Sequence, residues 1–503
     1  MHGQHCFGSF SAKTPHESDH AHHITAARHP PHFAWVWMGG QPRSAANGIK
    51  PRSGPFWFHR VFAGIVDGCS HLTMDHNVLN THAPRLSAWQ VAILLVSASY
   101  GIGFLFGSGE VALQWGMAGS IYAMVTALGI ALLALAAPTL WLRGLQIWQV
   151  LGAAYGPKVS TLVATLSVVW MSGVLAAQIH GGVAVVKLMG LPTVPAYALM
   201  LSLIYVASRM ALARAAKVFA LCLAASSVLL LYALFSVDGL PLLMNALPAF
   251  TSDLPRVPNV RLWAILLAIT PLVVTGADYQ QFVMEAKSAR SAVAGCWMAA
   301  GFLFLFGFVP AAVVVAYQNG VGAVQPDVGN QIMPFIMSRV AQKLAAGYGW
   351  MVLAVLLTAA LGSAAAIVRA MTSATLSALG RRHSSGAVHL SMVLLGGLIA
   401  SRGQAIVDTM VALNMVYLGA IGVVFVALLT PWRLPARCAW WAMQAGWMAS
   451  AAGYVCGWAQ LTHWDADVLS LVAGVLASLL TIAAYAAAQG LNPVDSRSGV
   501  RVP

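Results

Sequence analysis

The sequence predicts an all-α membrane protein of twelve transmembrane helices, arranged as two inverted halves of five with two further helices at the C-terminus. Three observations carry this. First, the 503 residues are 59% hydrophobic and only 8% charged, with a mean hydropathy of +0.75; soluble domains carry roughly 25% charged residues. Second, apolar runs of about 20 residues, the length a helix needs to cross a bilayer, recur from Trp89 onward. Third, two of these runs, five apart, are interrupted where an ordinary span would be continuous. The formal charge of +13 does not point to nucleic acid, because the Lys and Arg of the apolar region sit in short loops between runs, where orientation signals belong.

Taken in order, residues 1–85 form a basic, His-rich extension holding 12 of the 16 histidines and sustaining neither helical nor strand periodicity. The expectation is a disordered cytoplasmic segment, or one translated from a misplaced start with Met74 as the natural first residue. Residues 86–431 form the core, 432–490 two accessory helices and 491–503 a short tail. The expected spans run near 88–111, 115–141, 160–188, 193–208, 217–237, 259–277, 292–318, 347–378, 388–402, 409–431, 438–460 and 466–489. The fourth and ninth are short. Trp89, Trp115, Trp141, Trp263, Trp350, Trp432 and Trp464 fall near span ends, where amphipathic rings anchor at the interface.

Loop charges set the orientation. With the N-terminus inside, the cytoplasmic loops and tail carry 13 Lys and Arg without the extension, against 6 outside. Both termini are therefore expected in the cytoplasm, in a multi-pass inner-membrane protein. Of the six cysteines, four lie in or beside spans without metal spacing and read as core residues.

The first interruption is Ser97–Gly103, within a stretch that places four glycines, three serines and Glu110 in fourteen residues. Irregular backbone survives at membrane depth only where protein buries it or a cavity adjoins it. The second is Ile269–Gly276, which contains Pro271; proline removes an amide donor and disfavours a straight helix. Interrupted spans at corresponding positions of two halves point to a binding site between them, and an offset of five spans makes the second half inverted.

Several segments resemble a known family. Gly101–Gly119 is similar to the first-helix signature of sodium:solute symporters. Ala176-Ala-Gln-Ile-His-Gly-Gly-Val resembles their third core helix, Gly276–Ala292 the stretch after their sixth, and Thr358-Ala-Ala-Leu-Gly-Ser-Ala their eighth. The resemblance covers residues 88 to about 431 and is to a divergent member. It implies the leucine-transporter fold of the amino acid-polyamine-organocation superfamily, with cation-coupled uptake of a small organic solute. Two departures stand out. The family's eighth helix carries a Ser-Thr pair that holds sodium, and here Ser363 is followed by Ala364. Phe282 replaces the arginine favoured after Gln281.

The expected solute contacts are Ser97, Ser99, Tyr100, Gly101, Gly103, Gln178, Thr270 and Thr275. Ion coupling is assigned to Ala98, Gly101, Ser363 and Glu110, with Ser363 the one side chain expected to hold sodium. Gln178 is alternatively an interhelical hydrogen bond. Glu110 is alternatively an interfacial residue bonded to a tight external turn at Phe106–Glu110. Asp278 either caps a helix or joins a cytoplasmic gate with Lys287 or Arg290. Arg369, inside the eighth span, is costly unless paired or snorkelling, and Asp408 and Asn414 read as interfacial. With no strong charge expected at the midplane, a neutral or zwitterionic solute is preferred. No cofactor is expected beyond sodium or protons as coupling ion. The expected partners are the solute and membrane lipid, not nucleic acid, with the chain a monomer or homodimer. The alternatives are a sodium-independent permease of amino-acid or nucleobase type and a transporter-like solute sensor. An enzyme is disfavoured, because the spans carry no Ser-Lys dyad, paired aspartates or clustered His/Glu motif.

Overall fold

Small, flexible or proline-bearing positions decide where this apolar chain turns. The computed structural model describes residues 86–99, 102–210, 212–321, 329–345, 347–381, 386–402, 406–430 and 434–489. The basic extension, the tail after 490, and Tyr100 and Gly101 lie outside the described residues. In order, the helices are α1 (Ala88–Ser99), α2 (Ile102–Trp115), α3 (Ile121–Arg143), α4 (Ile147–Tyr155), α5 (Pro157–Leu188), α6 (Thr193–Ser208), α7 (Leu212–Ser236), α8 (Leu240–Met244) and α9 (Ala246–Asp253). They continue as α10 (Asn259–Thr275), α11 (Ala277–Met284), α12 (Ala289–Phe306), α13 (Val309–Val321), α14 (Ile332–Gln342) and α15 (Tyr348–Ala378). The last four are α16 (Gly386–Ala400), α17 (Ile406–Leu429), α18 (Ala436–Trp458) and α19 (Ala466–Gln489).

Eight segments are long and apolar enough to cross a membrane, and α1, α6 and α16 are shorter apolar helices. The chain is a multi-pass helical membrane protein, and each of the twelve expected spans is helical. Helices α6 and α16, the fourth and ninth spans, have 16 and 15 residues. At 1.5 Å per residue both fall short of a hydrocarbon core of about 30 Å. Their spacing of five repeats that of the two interruptions, in keeping with two related halves.

The local reasons are visible at the turns. Gly144 takes the left-handed conformation that ends α3 (φ 59°), and Gln146 with Gln149 forms a reciprocal cap that starts α4. Pro157 opens α5 at a position where its missing amide costs nothing. The C-terminal end of span one turns at Gly116 (φ +59°), where the Asp253 carboxylate accepts from the Met117 amide at 2.8 Å. The turn expected at Phe106–Glu110 is therefore a helix in the structure. Gly109 instead makes room for Met333 of α14, against which a Cβ would collide.

Two groups of helices emerge from the packing. Helix α12 packs on α1 and α3, and α10 on α3, which joins spans one, two, six and seven. Glycine permits the close approaches: a Cβ on Gly295 would stand 2.7 Å from Val91, and one on Gly129 2.8 Å from Val273. Helix α5 packs on α15, α16 and α17, joining spans three, eight, nine and ten. Helices α18 and α19 pack on each other and on α17. Their seam is made of Gly419, Gly446 and Gly474, with Ser450 donating to the Ser470 carbonyl at 2.6 Å and Ser478 to the Ala442 carbonyl at 3.0 Å.

Candidate functional site

Span one is described as α1 up to Ser99 and as α2 from Ile102, on either side of Tyr100 and Gly101. At the end of α1, Ser363 Oγ, in the middle of α15, donates to the Ala98 carbonyl at 2.6 Å. Close approach makes this contact possible, since a Cβ on the adjacent Gly362 would meet Ser97 Oγ at 2.7 Å. Ser97 and Ser99 are buried beside it. Ser99 Oγ donates within its own turn to Leu95 and lies 3.5 Å from the Tyr279 hydroxyl.

Span six is broken, and the break is sharper than the sequence suggests. Helix α10 runs unbroken through Pro271 to Thr275, and Gly276 then adopts extended backbone (φ −70°, ψ 122°) before α11. The proline is tolerated; the glycine is the break. A Cβ on Gly276 would stand 2.7 Å from both Asp278 Oδ1 and the Leu272 carbonyl, so the position excludes a side chain by contact rather than by dihedral angle. Gln280 secures the loosened turn: its amide nitrogen donates to the Val274 carbonyl at 2.9 Å, and its oxygen accepts from the Ile147 amide of α4 at 3.1 Å. Thr275 Oγ1 donates back to the Pro271 carbonyl at 3.0 Å, and the Thr270 hydroxyl has no hydrogen-bond partner.

Beside the break of span six lies a buried polar centre. Asp278 is 3% exposed, in the first turn of α11, and its Oδ1 has no hydrogen-bond partner. The buried Tyr122, Tyr279 and Tyr417 are its neighbours. Tyr417 also pairs with the Ser167 hydroxyl at 3.4 Å and packs on Trp170 with ring centroids 5.7 Å apart. These residues come from α3, α5, α11 and α17, so the centre spans both helix groups.

The chain has the leucine-transporter fold. It superposes on a Na+-coupled sialic acid symporter in a substrate-bound outward-open state with a TM-score of 0.60 at 14% identity, covering 80% of this chain and 90% of that one. A manganese transporter from Eremococcus coleocola superposes with a TM-score of 0.51 at 14% identity, covering 79% and 92%. No family model matches the sequence, and no curated protein does.

The fold brings together Ser97, Ala98, Ser99 and Ser363, with Thr275 close to the break of span six and Gln178 buried in α5. Gly103 lies in the first turn of α2, while Tyr100 and Gly101 fall outside the described residues. Glu110 sits apart, half-buried toward the end of α2, where a Cβ on Gly329 would be 3.3 Å from its Oε1. Asp278 lies in the interior, and among the described residues no ion pair joins it to Lys287 or Arg290. Asn414, read as interfacial, is 1% exposed in the core of α17. Asp408 does lie at the surface, where it joins Asp467 in holding Arg261 at the start of α10; the Arg261–Asp467 contact is 2.9 Å. The tyrosines around Asp278 were missed, since a single aromatic in an apolar run carries no sequence signal of its own. Gln280 and the Arg261 pair were missed because their partners are more than a hundred residues away.

Proposed function

We propose that the protein is a secondary active transporter that moves a small organic solute across the cytoplasmic membrane, coupled to a cation in the manner of the sodium:solute symporters. The observation that carries this reading is the break of span six at Gly276, with Ser363 of α15 reaching the Ala98 carbonyl at the end of α1 at 2.6 Å. Solute would bind between spans one and six, held by Ser97, Ser99, Thr270, Thr275 and Gln178 and by backbone groups that a continuous span six would have used up. Rocking of spans one, two, six and seven against the remainder would expose the site to each side in turn. The Lys/Arg bias supports placing both termini in the cytoplasm.

The coupling ion follows from the oxygens at hand. Sodium would find the Ser363 hydroxyl and the Ala98 carbonyl already adjacent; the Ser363 hydroxyl would turn its proton away and both oxygens would face the ion. Ala364 adds no ligand. A proton-coupled version is favoured by Asp278, a buried carboxylate with an unpartnered oxygen at the break of span six. Intramembrane carboxylates of this kind mark ion and proton pathways.

The test is uptake by proteoliposomes holding the full chain, with a panel of labelled anionic, neutral and cationic solutes under imposed sodium or proton gradients. The proposal expects accumulation of at least one solute above its external concentration, collapsing when the driving gradient is dissipated. Accumulation indifferent to sodium but driven by protons would move the coupling role to Asp278. Equilibration without accumulation would favour the uncoupled permease, and no movement under either gradient would contradict transport.

A further inference from the structure

The least satisfied charged group among the described residues is Arg369, two-thirds of the way along α15. Its three guanidinium nitrogens are buried and none has a hydrogen-bond partner. The expectation that it would be paired or snorkelling is met in neither sense. None of the three ion pairs among the described residues includes it. A guanidinium withdrawn from water without a counter-charge is strongly unfavourable, so its retention in a membrane-embedded core implies a partner that comes and goes.

The direction in which Arg369 faces is fixed by its neighbours on the helix. Gly362, Ala366, Arg369 and Ser373 share one face, at i, i+4, i+7 and i+11. Gly362 lies against Ser97 of α1, the Ala366 carbonyl accepts from Gln281 of α11 at 3.2 Å, and Ser373 lies 3.5 Å from Gln146 at the start of α4. Arg369 is thus on the seam between α15 and spans one and six, on the cytoplasmic side of the Ser363–Ala98 contact. Asp278 lies on the same seam, three residues before Gln281, and no ion pair among the described residues joins it to Arg369.

We propose that Arg369 anchors an oxyanion site on the cytoplasmic half of the transport path, and that the transported solute carries a carboxylate which this guanidinium receives. The planar fork of arginine matches a carboxylate with two parallel hydrogen bonds. The proposal rests on the transport reading and replaces the preference for a neutral or zwitterionic solute. The charge that preference takes to be absent from the midplane is on span eight.

The test uses the purified full chain and reads thermal stability against lactate, benzoate, succinate and gluconate, each beside its neutral amide, with inorganic phosphate and sulfate as further arms. At least one carboxylate is expected to raise Tm while its amide does not. Arg369→Gln should raise the half-saturating concentration tenfold or more. Arg369→Lys, which keeps the charge but loses the fork, should raise it about fivefold, and this variant decides the matter if the glutamine variant does not fold. Stabilisation by no carboxylate, equal stabilisation by the amides, or unchanged carboxylate affinity in both variants would overturn the proposal. So would Arg369-dependent binding of phosphate or sulfate alone, which would make the site one for an inorganic ion. If a carboxylate binds through Arg369 but no gradient drives its uptake into proteoliposomes, the oxyanion site stands and the transport reading falls.

Discussion

Gly276 and Ser363 are the two positions where single atoms decide the site. Replacing Gly276 with alanine would press a methyl group onto the Leu272 carbonyl and Asp278. Because one of these is backbone and cannot rotate away, the substitution should cost roughly 1–3 kcal/mol, seen as a lowered Tm, and should reduce uptake. A wild-type Tm in Gly276→Ala would mean that the break relaxes freely. Ser363→Ala removes the donor to Ala98, a loss of about 1 kcal/mol in stability. If sodium is the coupling ion, uptake should need at least tenfold more sodium for half-saturation, and an unchanged sodium dependence would remove Ser363 from the coupling site. The resemblance of Thr358–Ala364 to the symporters' eighth helix singles out Ser363, and the structure sets its hydroxyl against the Ala98 carbonyl. The sequence could not make Asn414 or the tyrosines around Asp278 legible. Their roles depend on which residues of other helices they face, and no local pattern encodes that.

At the scale of elements, twelve spans and an interruption of span six could be read from hydropathy, glycine and proline, but its exact place could not. Pro271 removes one amide donor, yet α10 continues through it to Thr275, whose hydroxyl bonds the Pro271 carbonyl one turn back. Extended backbone at Gly276 then ends the helix. The accessory pair α18 and α19 is held to α17 by three glycines whose neighbours leave no room for a side chain. Gly446→Leu should therefore pry the pair from α17, at a cost of roughly 1–3 kcal/mol, measurable as a lowered Tm and faster proteolysis between α18 and α19. Wild-type behaviour would show the seam to be loose. At the external end, Arg261 joins two carboxylates of different exposure, Asp467 at 10% and Asp408 at 58%. Burial decides which matters. Asp467→Asn should cost roughly 2–5 kcal/mol, as losing one partner of a buried charge pair does, while Asp408→Asn should stay within about 1 kcal/mol. Chemical-denaturation midpoints of the two variants give the comparison, and the reverse order would contradict the assignment.

Over the whole molecule, the polar ties divide unequally. Within the group of spans one, two, six and seven, Leu86 exchanges backbone hydrogen bonds with Glu285 and Lys287, both at 2.8 Å, and the Trp141 indole donates to the Ala286 carbonyl at 2.8 Å. These bonds join the start of span one, the end of span two and the end of span six into one body. Across to the other helices run contacts at separate points, such as Ser363 to Ala98, Gln281 to Ala366, Gln280 to Ile147 and the Arg261 pairs with Asp408 and Asp467. A body joined internally and tied to its surroundings at separate points is suited to moving as a unit. The number of spans was legible in the sequence, but this division was not, because it depends on long-range packing. The central claim is that the Ser97–Ser99 end of α1 is exposed alternately to the two sides of the membrane, and site-directed thiol labelling tests it without knowledge of the solute. The chain with its native cysteines replaced and Ser99→Cys introduced is placed in oriented vesicles, and a membrane-impermeant maleimide is added first outside and then, in a separate sample, inside. Ser99 is 5% exposed in the structure, so labelling at all requires motion. The account predicts labelling from both sides, with sodium or solute shifting the balance between them; labelling from one side only, or from neither, would contradict it.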